Sequence, residues 1–160
     1  MQISTLQPAR FSFGTTSAVI TILALITSLD TLSNAKAGII GGILVMAIVD
    51  NISDTLGIHI HRETEIDNKK EVFLTTFINY VARLLVSLIF VLIIIIFPLK
   101  TAVYVSIVYG VIVLSAVSYM IATIRKVDPV KSTLQHLTVA ILVIIASKIL
   151  GKFLVNRFDM

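Results

Sequence analysis

Five long apolar stretches, separated by short polar ones, dominate the pattern along this chain. The first runs from Phe11 to Leu29 without a charge, close to the roughly 20 residues a helix needs to cross a bilayer. The second starts at Ala37, stays apolar through Val49, then meets Asp50 and Asp54. The third begins near Val72, contains Arg83 and ends in LIFVLIIIIFP, with Pro98 and Lys100 as stop signals. The fourth, Thr101 to Ile124, carries no charge, and the fifth runs from about Leu134 to Val155 around Lys148. These runs are about twice as long as a barrel strand and lack a sustained period of two, so helices are expected. The fold class expected is an all-α integral membrane protein, one transmembrane domain with helices at about 11–30, 37–60, 72–98, 101–124 and 134–155. A short charged loop, 61–71, separates the second helix from the third.

Composition agrees. The 160 residues are 57% hydrophobic and only 14% charged, with a mean hydropathy of +1.01. Soluble domains carry about a quarter charged residues, too many for this chain to resemble them. The first segment differs from a signal peptide: one basic residue, Arg10, precedes it and no A-x-A site follows, so it reads as a retained helix. The net charge of +4 comes from basic residues at the ends of apolar runs, a juxtamembrane pattern and not a nucleic-acid one. With no cysteine, disulfides and thiolate metal sites are excluded.

Loop charge predicts orientation. Arg10, Arg62, Lys69, Lys70, Arg125, Lys126 and Lys131 fall on one side, and Lys36, Lys100, Lys152 and Arg157 on the other. Seven against four places the amino terminus in the cytoplasm and the carboxyl terminus outside or in a lumen. The membrane is then the plasma membrane of a prokaryote, or otherwise an organellar one.

Asp50 and Asp54 are the sharpest feature. A carboxylate at membrane depth costs several kcal/mol, roughly, unless it is paired, neutralised or facing water. Four residues apart, the two share a helix face, and Met46 continues the line. Two carboxylates attract a divalent cation, and a thioether favours a softer transition metal. Adjacent carboxylates also share a proton, which permits exchange of metal for protons. Structural pairing with Arg83, on an antiparallel neighbour, is the competing expectation. His61 and Glu65 extend the same face and offer an entry point, although a solvated loop is the leading explanation for them. Lys148 is expected to snorkel or to pair with Asp30. The Gly38–Gly42 spacing permits close helix packing, within the chain or across a dimer. The hydroxyl-rich first helix either satisfies its own carbonyls or lines a path. No nucleophile elbow, Walker motif or dinucleotide fingerprint is present, so no enzyme and no resident cofactor are expected.

Two segments resemble the vacuolar iron transporter family of five-helix divalent-metal transporters. Phe13-Gly14-Thr15-Thr16-Ser17-Ala18-Val19-Ile20 is similar to that family's F-G-x-x-D-G opening. Met46-Ala47-Ile48-Val49-Asp50-Asn51-Ile52-Ser53 is similar to its S-M-A-x-G-E-Y-L-S pattern, and His136 to Gly151 is compatible with its fifth helix. The resemblance implies a homodimer and proton-coupled export of Fe²⁺ or Mn²⁺ from the cytoplasm. It also implies metal binding at Met46 and Asp50; Asp54 rests on the physical reasoning alone. Two departures stand out. Ser17 and Ala18 replace the family's D-G pair, and only His61, Glu63, Glu65, Asp67 and Glu71 remain of its cytoplasmic metal-binding region. A non-transporting assembly protein that keeps the fold, and a proton or monovalent-cation pathway, are the alternatives. The partners expected are the bilayer and a second copy, with no nucleic acid.

Overall fold

The computed structural model of the chain describes residues 7–65 and 67–158, with side chains from residue 12 onward. Arg10, counted above for orientation, has its side chain outside the described set. The described residues form an all-α bundle of five helices, each long and apolar enough to cross a membrane. They are α1 (Gln7–Leu29), α2 (Ala35–Glu65), α3 (Lys69–Ile96), α4 (Leu99–Ile124) and α5 (Pro129–Phe158).

Local chemistry sets the ends. Pro98 pushes the preceding Phe97 into an extended conformation, which stops α3 and lets α4 start on the next residue. The Lys36 ammonium then donates to the carbonyls of Ile95 and Phe97 at 3.0 and 3.2 Å, satisfying acceptors that the end of α3 leaves open. Asn68 caps α3 by accepting from the Lys70 amide at 3.1 Å. Asp128 caps α5 through the amides of Val130 and Lys131, with Pro129 as its first residue.

The charged segment 61–71, expected as a loop, is helical through Glu65 and again from Lys69. Contacts one turn apart hold the extension. His59 and His61 approach Glu63 and Glu65 at 3.5 Å, and Arg62 reaches Glu65 at 2.9 Å. Charge density had argued for a loop, but these residues pair along one helix instead of repelling. α5 likewise begins at Pro129, five residues before the expected start, because Asp128 supplies its cap.

α1 is the central helix. It packs against α3, α4, α5 and the first half of α2, and from Gly14 to Leu29 none of its residues is exposed. It is also the span richest in serine and threonine. Most are satisfied locally: Thr16, Thr21 and Thr27 donate to the carbonyls of Ser12, Ser17 and Leu23 at 2.7–2.8 Å. The apolar face of α1 (Ala18, Val19, Ile22, Leu23, Ile26) meets Ile39 and Ile43 of α2, Phe90 and Ile94 of α3, and Leu114 of α4 in one core. Tyr109 packs edge-on against Phe90 at 5.0 Å, whereas Tyr104 and Tyr119 are exposed. Outward faces carry Leu, Ile, Val and Phe, the surface a lipid environment accepts.

Two close approaches fix α1 in place. A Cβ on Gly14 would lie 2.7 Å from the backbone oxygen of Asn79, and one on Gly151 would lie 2.1 Å from that of Ser28. Only hydrogen fits at either position, so α3 and α5 touch α1 backbone to backbone. Of the glycines expected to serve packing, Gly42 abuts Leu25 of α1, while Gly38 and Gly41 face open space.

Candidate functional site: an intramembrane charge cluster

α2 does not cross the bundle as a uniform helix. Met46–Asp50 form a single π turn between two α-helical stretches. The buried residues of α2 (Ala35, Ile39, Ile43, Ala47 and Asn51) recur every four positions. In a regular helix such a stripe drifts by about 40° at each step. The wider turn absorbs part of that drift, keeping Ala47 and Asn51 on the face that packs against α3. Asn51 is fully buried and donates from its amide to the Tyr80 carbonyl at 3.0 Å, locking α2 to α3 next to the acidic pair. Met46 opens the π turn and Asp50 closes it, so the expected straight line from Met46 through Asp50 to Asp54 is interrupted by a change of helical register.

On the facing helix, Thr75, Asn79, Arg83 and Ser87 are all buried, one turn apart. Sequence reasoning singled out Arg83 alone. The four-residue recurrence of polar side chains in an otherwise apolar span was the signal for the rest. Asn79 accepts from the Gly14 amide at 2.7 Å and so fixes α1 against α3. Ser87 is satisfied by the Arg83 carbonyl at 2.8 Å.

Arg83 is 2% exposed and forms ion pairs with both Asp50 and Asp54, one guanidinium nitrogen to each. The same nitrogen that meets Asp54 also donates to the Ser17 hydroxyl at 3.0 Å, and that hydroxyl lies 3.5 Å from the Asp54 carboxylate. Three helices therefore converge: α1 through Ser17, α2 through the two aspartates, and α3 through Arg83. The carboxylates keep an outward side, with side chains 43% exposed for Asp50 and 34% for Asp54. Two carboxylates against one guanidinium leave the cluster one formal negative charge.

Below the cluster, a cleft of about 500 Å³ is lined by Phe13, Ser53, Asp54, Gly57, His61 and Arg62. Asp54 thus borders both the ion-paired cluster and a cavity that reaches His61. Glu65 is drawn to Arg62 and His61 and does not line that cleft. Among the described residues, no group of three or more His, Asp or Glu side chains is arranged to hold a metal ion. Each carboxylate gives one oxygen, Oδ2, to the buried Arg83 guanidinium, so a cation arriving from the exposed side meets the carboxylates before it meets Arg83.

A second ion pair stands at the opposite end of the bundle. Lys148 of α5 pairs with Asp30, just past the end of α1, one of the two outcomes expected for it. A cavity of about 320 Å³, lined by Thr27, Asp30, Lys148, Lys152 and apolar residues of α4 and α5, adjoins that pair.

No protein-family profile matches the chain, and neither a curated protein nor a solved structure is detectably similar to it.

Proposed function

We propose that this protein is a cation transporter in which Asp50 and Asp54 bind the transported ion and exchange it for protons, with Arg83 as the internal counter-ion. The observation that carries the reading is the unequal charge of a cluster inside the membrane-spanning bundle: two half-exposed carboxylates share one buried guanidinium. The surplus negative charge is neutralised by a proton or by a cation, and each excludes the other. Such a group is expensive within a bilayer and is found where ions or protons are handled.

In the cycle we envisage, an ion enters through the cleft between His61 and Asp54. It displaces Arg83 from the carboxylates, reaches Asp50 and then Met46, at the two ends of the π turn, and leaves on the far side as protons return. The Ser17 hydroxyl gives the displaced guanidinium a partner on α1. A thioether in the path favours a softer ion, Fe²⁺ ahead of Mn²⁺, over Mg²⁺. With the amino terminus in the cytoplasm, the direction is export, across the plasma membrane of a prokaryote or an organellar membrane. The carboxylates' exposed side, on a face of α2 no other helix of the chain covers, fits a homodimer in which a second copy shields them from lipid. The reading makes the protein a carrier and not an enzyme.

A second reading is favoured by the same ion pairs. Both carboxylates already hold Arg83, as a structural clamp would, in a membrane protein that assembles without transporting. Proteoliposome uptake of Fe²⁺, Mn²⁺, Zn²⁺ and Mg²⁺, with and without a pH gradient, separates the two. A transporter shows gradient-dependent flux that Asp50→Asn reduces at least about tenfold while the folded yield holds. If the wild-type protein is well folded and carries no ion, the clamp stands and transport is wrong. Met46→Leu distinguishes the ion: loss of Fe²⁺ and Mn²⁺ flux supports a soft-metal site, whereas unchanged proton flux points to a proton or monovalent-cation pathway.

A further inference from the structure

The turn joining α4 to α5 borders a cleft of about 380 Å³ on the far side of α1 from the acidic cluster. Its polar lining comes from Arg125 at the end of α4, Asp128 in the turn, and Lys131, Ser132, Gln135 and His136 on one face of α5. Arg125, Lys131, Ser132 and Gln135 have no side-chain partner among the described residues. Asp128 is already committed, since one carboxylate oxygen accepts from the Val130 and Lys131 amides at 2.9 and 3.1 Å. Those amides are therefore spent on the cap, and the positive potential of the cleft comes from side chains. His136 is held by Ser118, with Nδ1 2.8 Å from the hydroxyl, so its second ring nitrogen is the one left to a ligand.

The turn itself is built at some cost. Lys126 has φ of 57°, and it is the one non-glycine residue with positive φ among those described. The amides of Lys126 and Val127 return to the carbonyls of Thr123 and Ala122 at 3.2 and 3.0 Å, the helix ending in which glycine is usual. Just before that ending, Arg125 lines the same cleft as the first turns of α5. The apolar rim of the cleft is Ile121 and the exposed Val127. A basic, hydrogen-bonding pocket with an apolar rim, at the end of membrane-spanning helices, suits a ligand that carries a phosphate and an acyl chain together. A soluble phosphate would leave the rim unused.

We infer that this cleft binds the headgroup phosphate of an anionic phospholipid through Arg125 and Lys131, with Ser132, Gln135 and His136 as hydrogen-bonding neighbours. The site is independent of the transport reading and stands whether or not the acidic cluster moves ions. The test is native mass spectrometry of the full chain released from mixed micelles containing equal phosphatidylglycerol and phosphatidylcholine. The wild-type protein should retain phosphatidylglycerol with at least about a tenfold preference. Arg125→Gln and Lys131→Gln should each lower that preference on the order of fivefold, and Arg125→Lys should keep most of it. Lys100→Gln and Lys152→Gln, at the other end of the bundle, should change nothing. Equal retention of the two lipids overturns the inference, as does a preference that survives both glutamine variants. A third arm adds glycerol 3-phosphate and inorganic phosphate: displacement of the lipid by either at equimolar concentration overturns the lipid assignment in favour of a soluble phosphate ligand.

Discussion

Arg83 carries its charge into a part of the bundle that is closed on every side but one, and there it meets Asp50, Asp54 and Ser17. Removing one member of such a group costs more than the group is worth, because the remaining charges stay buried and unpaired. Arg83→Ala should therefore destabilise the protein by about 3–5 kcal/mol. Replacing all three charged residues, as Arg83→Met with Asp50→Asn and Asp54→Asn, should recover most of that loss. Reversible unfolding in mixed micelles, followed by circular dichroism, measures both. If the triple variant is no more stable than Arg83→Ala, the charges are not the source of the penalty. The spacing of Asp50 and Asp54 made the pair legible in the sequence, and Arg83 was a candidate because it was a charge in an apolar span. Ser17 was legible as one of several first-helix hydroxyls that could line a path, and as the residue standing where the resemblance expects an acid. Its contact with Arg83 depends on how α1 is rotated, which no local pattern encodes.

Helix pairs depend on individual atoms at their crossing points. α5 presents Gly151 to the backbone of α1 at Ser28, where a Cβ would sit 2.1 Å from the carbonyl oxygen. Gly151→Ala must push the two helices apart, and a loss of about 1–3 kcal/mol is expected from such overpacking. Gly57→Ala, with open space around it, should leave stability unchanged or raise it, since alanine favours helix. Thermal unfolding of the two variants side by side checks the contrast. Equal losses would mean that α5 does not cross α1 at this point. The π turn belongs to the same scale. Nothing in Met46–Asp50 announces it; it arises where a four-residue stripe of buried positions must stay on one face of α3. The helical extension through Glu65 was hidden for the opposite reason. Its charges resemble a loop until their one-turn pairing is seen.

At the scale of the whole molecule, α1 is enclosed while α2 and α5 lie at the periphery, with much of α2 facing outward. Gly38 and Gly41 lie on its outward side with no neighbour at their Cβ positions, which leaves room for a second helix to approach closely. If the protein forms the proposed homodimer through this face, Gly41→Leu should shift it from dimer to monomer without unfolding it. Light scattering coupled to size exclusion would read the change. A wild-type monomer, or a dimer indifferent to Gly41→Leu, would refute this face. The number of spans, and their limits within about five residues, could be read from the chain. Each is a property of one segment against lipid, set by apolar length, proline, caps and flanking charge. The joining of Ser17 to Asp50, Asp54 and Arg83, the choice of pairing over snorkelling for Lys148 and the enclosure of the hydroxyl-rich helix required the folded bundle. Those features depend on the rotation and depth of one helix relative to another, which follow from side-chain packing between segments far apart in the chain.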